Sequence, residues 1–402
     1  MADNNENKVL NVPPLRFPEF TEEWKAEQLD NIATLSKGIG ISKEQLSEDG
    51  EPCILYGELY TKYKSEIIKQ VESKTDINGS KLKRSKANDV IIPCSGETAV
   101  DIATARCVPF DNILFGGDLN VISLHQYDGA FMSYQLNGKR KYDIARVAQG
   151  VSIVHLYGEH LKAIKTYNPT LPEQQKIAKL LSLLDDRIDT QNKIIERYES
   201  LIRGINQYAF TNTGINYKLG EICEIRSGYS GNQLTLKNGL KVSRIETISG
   251  HKVNMERVGY VAPFESSENY RLQIGDILFS NINSVEYIGN TAFIDKDYNL
   301  YHGMNLLRLI PKKELVMPFY LYLVLNTNRL LNHFKTVCNK AVSQASINQT
   351  ELGKTIVRIP NLMNQNRICE LFQTLYTKLE AERYFISLLQ DQKQHLLRQM
   401  FI

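Results

Sequence analysis

The chain has no apolar run long enough to cross a membrane, since none approaches the roughly 18 residues that a helical span needs. It also lacks the basic-then-apolar start of a signal peptide, because its first residues, MADNNENK, are polar and acidic. We interpret residues 1–14 as a flexible tail. These absences predict a cytoplasmic protein that makes no membrane contact.

Cysteine is scarce, and no two cysteines have the C-x-x-C spacing of zinc and redox sites. The cysteines lie in apolar or mixed segments, so we expect reduced thiols in a cytoplasmic protein. They are Cys53, Cys94, Cys107, Cys223, Cys338 and Cys369.

Catalytic motifs are also missing. Gly353-Lys354-Thr355 resembles the end of a phosphate-binding loop, but Asn348 stands where that pattern needs glycine. We find no Gly-rich nucleotide loop after a predicted strand, and no Asn/Asp-Pro-Pro-aromatic tetrapeptide of the kind that amino-methyltransferases use. His155 and His160 lack the spacing of metal ligands, so we interpret both as structural or surface residues. The sequence therefore predicts no catalytic residue, no metal and no cofactor, which favours a binding protein over an enzyme.

What the chain does contain is a long internal repeat. Pro169-x-Leu171-x-x-Gln174-x-x-Ile177 returns 191 residues later as Pro360-x-Leu362-x-x-Gln365-x-x-Ile368. Each copy begins a seam with 4, 3, 4, 3 steps, the pattern of a coiled coil, and each seam has a polar break, Gln191 or Glu382, at the same place. The first seam is Ile177, Leu181, Leu184, Ile188, Gln191, Ile195, Tyr198, Ile202 and Ile205, and the second is Ile368, Phe372, Leu375, Leu379, Glu382, Ile386, Leu389, Lys393 and Leu396.

The repeat extends upstream of both seams, with offsets between 185 and 191 residues. Residues 28–38 match residues 218–228, residues 88–91 match 275–278, and residues 118–124 match 303–309. A period this long indicates duplicated domains rather than a solenoid.

These patterns predict an α+β fold with two duplicated mixed α/β domains and two long helices. We expect domains at residues 15–168 and 212–359, and long helices at 169–211 and 360–402. Short apolar runs bounded by Gly, Pro, Asn and Asp predict strands. Shorter helices are expected at residues 30–35, 131–136 and 317–330.

The two seams match in length, so the long helices are expected to pair, either parallel or antiparallel. From Ile177 to Ile205 a helix rises roughly 42 Å, and an antiparallel pair of that length would set the two domains about one DNA turn apart. The alternative is a dimerisation device unrelated to DNA. Lys393 stands in the second seam where the first seam has the apolar Ile202, and it is expected to keep its ammonium in solvent. Asp185-Asp186 is interpreted as solvent-facing.

Polar, basic and aromatic loops are the candidate nucleic-acid contacts, although each has an alternative interpretation as an ordinary solvated turn. The net charge of +3 permits nucleic-acid binding without arguing for it. Tyrosines alternate with lysines around Tyr60, small polar residues follow a predicted strand at Ser95, and asparagines follow the matching strand at Asn281. The candidates are Lys37, Lys43, Tyr56, Tyr60, Thr61, Lys62, Tyr63, Lys81, Lys83, Arg84, Lys86, Ser95, Thr98, Lys139, Arg140, Arg226, Tyr229, Arg244, Asn281, Asn283, Ser284, Ser343 and Gln344.

Over essentially its whole length from residue 15, the chain resembles the specificity subunits of type I restriction–modification systems. The resemblance rests on the two Pro-x-Leu-x-x-Gln-x-x-Ile motifs, on residues 28–38, and on three further segments. These are Leu15-Arg16-Phe17-Pro18-x-Phe20-x-x-x-Trp24, Ile54-Leu55-Tyr56-Gly57-x-Leu59-Tyr60-Thr61-Lys62-Tyr63, and Gly150-Val151-Ser152-Ile153-Val154-His155-Leu156, from which the second copy departs with Ala341-Val342-Ser343-Gln344.

The resemblance implies two target-recognition domains, each reading one half of a split, asymmetric sequence on double-stranded DNA. It implies that the long helices pair antiparallel, act as a ruler and dock two modification subunits, which bring S-adenosylmethionine and methylate adenine. Restriction subunits, which translocate DNA and cleave it, would complete the complex. Two other classes remain open: a coiled-coil adaptor without DNA contact, and an enzyme with unfamiliar motifs.

Overall fold

The computed structural model describes residues 10–150, 153–210, 214–235, 237–340 and 344–402. The chain divides into two compact units. Unit 1 comprises the described residues up to Lys193 together with Arg383–Ile402, and unit 2 comprises those from Ile194 to Glu382. Each long helix therefore contributes residues to both units.

Unit 1 is a mixed α/β unit of short elements. Its strands are β1 (Lys25–Gln28), β2 (Ala33–Lys37), β3 (Glu51–Ile54), β4 (Lys74–Thr75), β5 (Lys83–Arg84), β6 (Asp89–Pro93), β7 (Ser95–Gly96), β8 (Arg106–Val108), β9 (Leu114–Phe115), β10 (Leu119–Leu124), β11 (Val154–His155) and β12 (Lys165–Asn168). Its helices are α1 (Leu29–Ile32), α2 (Glu58–Thr61), α3 (Ala99–Ile102), α4 (Gly129–Asn137), α5 (Lys141–Val147), α6 (Gly158–Lys162), the first part of α7 (Leu171–Tyr208) and the last part of α12 (Leu362–Gln399).

The centre of unit 1 is an antiparallel four-stranded sheet in the order β2-β10-β6-β8. Successive side chains of a strand point to opposite faces. Along β6, Val90 and Ile92 enter one hydrophobic core and Ile91 enters another. Both faces of this sheet are thus covered, which explains why β6 is an uninterrupted apolar run rather than an alternating one.

Unit 2 has the same kind of elements. Its strands are β13 (Ile215–Lys218), β14 (Cys223–Ser227), β15 (Leu240–Val242), β16 (Gly259–Val261), β17 (Ile277–Phe279), β18 (Ile282–Asn283), β19 (Thr291–Phe293), β20 (Leu307–Pro311), β21 (Asn339–Lys340), β22 (Ala345–Ser346) and β23 (Ile356–Ile359). Its helices are the last part of α7, α8 (Leu219–Ile222), α9 (Pro318–Leu325), α10 (Asn328–Val337), α11 (Gln349–Gly353) and the first part of α12 (Leu362–Gln399).

Unit 2 repeats the central sheet of unit 1 and two of its strand pairs, which confirms the duplication. Its central sheet has the order β14-β20-β17-β19, matching β2-β10-β6-β8. The pair β13-β23 matches β1-β12, and β18-β22 matches β7-β11. Along β17, Ile277 and Phe279 enter one core and Leu278 another, as the equivalent residues do in β6.

The strand register corrects one of the sequence matches. Val90 pairs with Ile122 in unit 1, and Ile277 pairs with Leu309 in unit 2. The segment at residues 118–124 is therefore repeated at an offset of 187 residues, the same offset as between β6 and β17. The match to residues 303–309 that the sequence suggested, with an offset of 185, was wrong by two residues. A shift of two residues preserves which face each side chain occupies, so the apolar pattern could not reveal it.

A close backbone approach explains a repeated glycine in each unit. A Cβ placed on Gly38 would lie 2.0 Å from the carbonyl oxygen of Gly116, and one placed on Gly228 would lie 1.9 Å from that of Gly303. No side chain fits in either gap. Gly116 and Gly303 are also 187 residues apart, in agreement with the strand register.

The repeated motif at the start of each long helix is a glutamine clamp. The Gln174 side chain donates to the Pro169 carbonyl oxygen at 2.8 Å and accepts from the Asp128 backbone N–H at 2.9 Å, at the start of α4. Gln365 donates to the Pro360 carbonyl oxygen at 2.8 Å and accepts from the backbone N–H of the residue before α9, at 2.7 Å. Both amides are buried, so each ties a long helix to a helix of its own unit.

Within each unit the two long helices run antiparallel, as the resemblance implied. In unit 1, Leu181 near the start of α7 shares a core with Leu397 and Phe401 near the end of α12. In unit 2, Ile202 near the end of α7 shares a core with Phe372 near the start of α12.

Two predicted short helices differ from the structure. The helix expected at residues 30–35 ends at Ile32, because Ala33 begins β2 and joins the central sheet. The helix expected at residues 317–330 is two helices, since the Thr327 hydroxyl accepts from the Leu330 N–H and caps a new helix. The helix expected at residues 131–136 lies within α4.

Two predictions about charged residues on the long helices were wrong. Lys393 does not keep its ammonium in solvent but is buried between two carboxylates, and Asp185 is buried rather than solvent-facing. Asp186 is exposed. Helical periodicity places these residues on a face but does not show what a neighbouring element brings to that face.

All six cysteines are buried and none forms a disulfide, as expected for reduced thiols. Burial raises the pKa of the Cys223 thiol to about 12. Over the described ranges, no helix has the length and apolarity that a membrane crossing requires. Among those same residues, no group of His, Cys, Asp and Glu is arranged to hold a metal ion.

Candidate nucleic-acid interface

In each unit a short polar strand follows one strand of the central sheet and pairs with a second short strand later in the chain. In unit 1, β6 leads into β7, where Ser95 pairs with His155 of β11. In unit 2, β17 leads into β18, where Asn283 pairs with Ala345 of β22. The sequences around β11 and β22 differ, yet the two strands occupy equivalent positions. We call each β7–β11 or β18–β22 pair, with the turn after its first strand, a reading turn.

The reading turn of unit 1 brings together three predicted contact residues. Ser95 is buried and its hydroxyl donates to Asp118 at 3.1 Å. Thr98 is exposed and caps α3, since its hydroxyl accepts from the Asp101 N–H at 3.1 Å. A Cβ on Gly96 would lie 3.9 Å from the Tyr60 hydroxyl, so the tip of Tyr60 reaches this turn.

The tyrosine and lysine segment around Tyr60 is only partly available for contacts. Tyr60 and Thr61 are exposed on α2, and the pKa of Tyr60 is raised by partial burial and by nearby groups that include Glu97. Lys62 is paired with Glu58 at 3.3 Å. Burial raises the pKa of Tyr63, and Tyr56 packs at the edge of a core.

An aromatic and basic cluster beside the reading turn was missed by sequence reasoning. The Tyr157 ring is exposed, stacks on His155 with ring centroids 6.1 Å apart, and meets the His160 ring edge-on at 5.6 Å. The ammonium of Lys37 lies 5.7 Å from the centroid of Tyr157. His155 and His160 were expected as structural or surface residues, and His155 is exposed. The usable signal was the position of His155 in β11 and of Tyr157 and His160 shortly after it.

The reading turn of unit 2 is rich in amides. Asn283 donates to the Ser280 hydroxyl at 3.1 Å and accepts from the Ser284 N–H at 2.8 Å. Asn283 also lines a cavity of about 150 Å³ together with Arg257. The backbone carbonyl of Asn281 accepts from the Ile347 N–H at 2.9 Å, which fixes the turn against the unit.

The predicted residues around β22 are described in part. Gln344 is exposed and directly precedes β22, so it neighbours the pair formed by Asn283 and Ala345. Ser343 lies outside the described residues.

Three other predicted residues of unit 2 are not part of the strands of its reading turn. Arg226 at the end of β14 forms two hydrogen bonds with Glu224, at 2.7 and 3.1 Å, which raise the pKa of the arginine and lower that of the carboxyl. The Tyr229 ring stacks on Phe264 at 3.9 Å, nearly parallel. Arg244 is exposed.

The predicted basic clusters of unit 1 divide into exposed and engaged residues. Lys43, Lys81, Lys86 and Lys139 are exposed. On the strand β5, which also carries Lys83, the guanidinium of Arg84 makes two hydrogen bonds to Glu51, at 2.6 and 3.0 Å.

Arg140 holds the end of the chain rather than projecting into solvent. Its guanidinium donates to the Ile402 carbonyl oxygen at 2.9 Å and lies over the Tyr167 ring at 5.4 Å. It also pairs with Asp143 at 3.2 Å. These contacts give Arg140 a role in packing Ile402, which follows α12, within unit 1.

Comparison with known protein families gives a match in both halves of the chain. The model of the type I restriction modification DNA specificity domain matches residues 21–200 and again residues 215–385. The chain belongs to this family. Two matching copies agree with the duplicated topology of units 1 and 2.

Two curated proteins of Methanocaldococcus jannaschii are similar to this chain. One, named the MjaX specificity subunit of a type I restriction enzyme, is 38% identical over 188 residues, which is 46% of this chain and 44% of that protein. The MjaVIII specificity subunit is 24% identical over 407 residues, 92% of this chain and 89% of that protein. The first match thus spans under half of its relative's length, and the second spans most of it.

Two solved structures share the fold. The S subunit of a type I restriction–modification system from M. genitalium aligns with a TM-score of 0.62 at 17% identity, over 97% of this chain and 99% of the other. A chain from a study of the assembly and conformational transition of the type I system aligns with a TM-score of 0.60 at 18% identity, over 96% and 98%. At these identities the likeness establishes the α+β fold of duplicated units with long helices. None of these comparisons favours a coiled-coil adaptor.

Proposed function

We propose that this chain is the DNA specificity subunit of a type I restriction–modification complex, in which each unit reads one half of a bipartite, asymmetric site on double-stranded DNA. The observation that carries this proposal is that the two units share one backbone arrangement but carry different side chains in their reading turns. The reading turns are equivalent, yet unit 1 presents Gly96 and Glu97 where unit 2 presents Asn283 and Ser284. A shared scaffold with different polar groups suits two modules that recognise different base sequences.

Asn283 and Gln344 are our candidates for base contacts in unit 2. A side-chain amide can donate and accept at once, which matches the N6 and N7 edge of adenine in the major groove. The present partners of Asn283 are the Ser280 hydroxyl and the Ser284 N–H. Substitution of Asn283 by Ala is expected to relax base choice in one half-site only, by about 1–3 kcal/mol at the affected base pair.

In unit 1, Tyr60, Thr98, His155 and Tyr157 surround the reading turn and supply hydroxyl and imidazole groups for contacts with bases, sugars or phosphates. Lys37, held over the Tyr157 ring, adds a cation at the same place. The exposed Lys81 and Lys86 suit phosphates, which position a protein on DNA without choosing sequence. Arg84 and Arg140 are less suited, because each already has carboxylate or carbonyl partners.

The long helices are proposed to dock two modification subunits. Leu180 on α7 is 36% exposed, and Leu371, its counterpart 191 residues later on α12, is 45% exposed. Leu171 and Leu362 form a second such pair, at 41% and 44%. Leucines left exposed at duplicated positions of both units offer the same apolar contact twice, which suits two copies of one partner.

In this proposal the chain contributes no catalytic group and no cofactor. The modification subunits would bring S-adenosylmethionine and methylate adenine, and restriction subunits would add translocation and cleavage. These roles are the ones that the family resemblance implies. They agree with the sequence, which contains no recognisable catalytic motif.

The test is a comparison of adenine methylation in cells that express the modification subunits with and without this chain. We expect methylated adenines at a single split, asymmetric motif only when the chain is present. Methylation that is unchanged by removal of the chain would reject the proposed function, and binding of S-adenosylmethionine by the purified chain alone would favour an enzyme instead.

A further inference from the structure

A buried cluster of charges joins the two long helices in unit 1. The Lys393 ammonium on α12 lies 2.6 Å from Glu66 and 2.6 Å from Asp185 on α7, and all three side chains are at most 12% exposed. The Tyr134 hydroxyl donates to Asp185 at 2.7 Å, and the Ser65 hydroxyl donates to it at 3.1 Å. Burial disfavours the ammonium, yet the two carboxylates hold the pKa of Lys393 above its ordinary value. The lysine is therefore charged in the core.

The equivalent place in unit 2 is apolar. With the 191-residue offset of the helix repeat, Lys393 corresponds to Ile202 and Asp185 corresponds to Tyr376. Ile202 and Tyr376 belong to one hydrophobic cluster of unit 2, together with Leu323 of α9. The same position in the duplicated frame thus carries a charged cluster in one unit and a hydrocarbon cluster in the other.

The seam positions next to Lys393 are apolar in both helices. The positions that flank Lys393 on α12 are Ile386, Leu389 and Leu396, where α7 has Ile195, Tyr198 and Ile205. The end of α12 from a second copy of this chain could therefore take the place of the end of α7 in unit 2, were it not for the lysine.

Pairing of like helices would leave the charges of Lys393 and Asp185 buried without a partner of opposite sign. If α12 of one copy paired antiparallel with α12 of another, Lys393 would take the place of Ile202, against Phe372 and Tyr376. If α7 paired with α7, Asp185 would lie opposite Ile202 of the other copy. A buried charge without its partner is strongly destabilising, whereas the α7–α12 pair brings the opposite charges together.

We propose that Asp185, Lys393 and Glu66 form a pairing key, which makes α7 pair with α12 of the same chain and prevents like helices of two copies from pairing. Its consequence is that one unit 1 and one unit 2 stay together. A complex with two copies of unit 2, which would present the same reading turn twice, is excluded.

The first test removes the charges and keeps the shapes. The full chain with Asp185→Asn and Lys393→Met retains a hydrogen-bonding amide and a flexible apolar stem. Glu66 keeps the balancing charge of the buried Arg106, which together with Lys393 lowers the pKa of that carboxyl although burial opposes this. Because neither long helix now carries a charge at this place, pairing of like helices no longer buries a lone charge, and the association constant for dimers is expected to rise by on the order of 100-fold or more. Analytical ultracentrifugation over a concentration series measures it, and co-purification of two differently tagged copies shows exchange.

The matched control neutralises an exposed pair. Lys252 and Glu380 form an ion pair in unit 2, and both side chains are 62% exposed. The full chain with Lys252→Met and Glu380→Gln loses one exposed pair of charges and keeps every buried charge. It is expected to sediment as the unchanged chain does.

A second variant installs the key in unit 2 instead. With Ile202→Lys and Tyr376→Asp, each helix carries one acid and one base, so pairing of like helices would also satisfy every charge. This variant is expected to dimerise as well. Two variants that remain monomeric at all concentrations, or a neutralised chain that fails to fold, would overturn the proposal, the latter because the charges would then serve stability rather than partner choice.

Discussion

The glutamine clamps yield a prediction whose magnitude follows from the structure. Replacement of Gln174 by Ala removes the side-chain partner of two backbone groups, the partly buried Asp128 N–H and the buried Pro169 carbonyl oxygen. An unsatisfied buried polar group costs about 1–3 kcal/mol. We therefore expect Gln174→Ala to lower the free energy of unfolding of unit 1 by about 2–4 kcal/mol.

The chain supplies a matched control and a second copy of the experiment. Gln175 is exposed next to Gln174, and its replacement by Ala should change stability by less than about 0.5 kcal/mol. Gln365→Ala removes the partners of the Met317 N–H and the Pro360 carbonyl oxygen, so it should destabilise unit 2 by a similar amount.

Hydrogen exchange is the suitable assay, because it reports the opening free energy of each unit separately. Protection should fall along α4 for Gln174→Ala and along α9 for Gln365→Ala. If Gln174→Ala proved no more destabilising than Gln175→Ala, the clamp would not hold the helix start. A loss of protection confined to the opposite unit would refute the reasoning equally.

Three further predictions concern pH, salt and spacing. Burial lowers the pKa of His302 to about 4, below the ordinary unfolded value of about 6.5. The contribution of the neutral imidazole to the free energy of unfolding is therefore full above about pH 6.5 and is lost as the pH falls toward 4. Urea titrations should show unit 2 losing about 3 kcal/mol over that range, and His302→Asn should remove this pH dependence. Replacing Lys81 and Lys86 by Ala should reduce the slope of log affinity against log salt by about 0.9 for each lost phosphate contact, and an unchanged slope would make them ordinary surface residues. One heptad inserted after Ile188 and another after Leu379 should lengthen both helices by about 10 Å, and methylome sequencing should show a gap between half-sites longer by roughly three base pairs.

The repeat made the fold predictable from the sequence at the level of units, strands and long helices. Heptad steps and the Pro-x-Leu-x-x-Gln motif marked both long helices, and apolar runs marked β6, β10 and their counterparts. The 187-residue register of the third repeated segment was not predictable, because a two-residue shift leaves every side chain on the same face. The break between α9 and α10 depended on the Thr327 cap, which competes with a continuing apolar pattern.

The candidate site was predictable by position more than by residue. The polar turns after β6 and β17 were expected, because they follow buried strands. The stacking of Tyr157 on His155 and its proximity to Lys37 depend on how β2, β7 and β11 come together, and those residues are far apart in the chain. The burial of Lys393 likewise depends on Glu66, which no helical periodicity could place beside it.

Exchange of the first predicted domain, which belongs to unit 1, tests most directly the claim that each unit reads one half-site. Residues 15–168 are replaced by the matching segment of a family member that has a different known target, and the methylome is sequenced with the same modification subunits present. We expect one half of the methylated motif to change to that of the donor while the other half stays the same. A motif in which both halves change, or neither does, would contradict it.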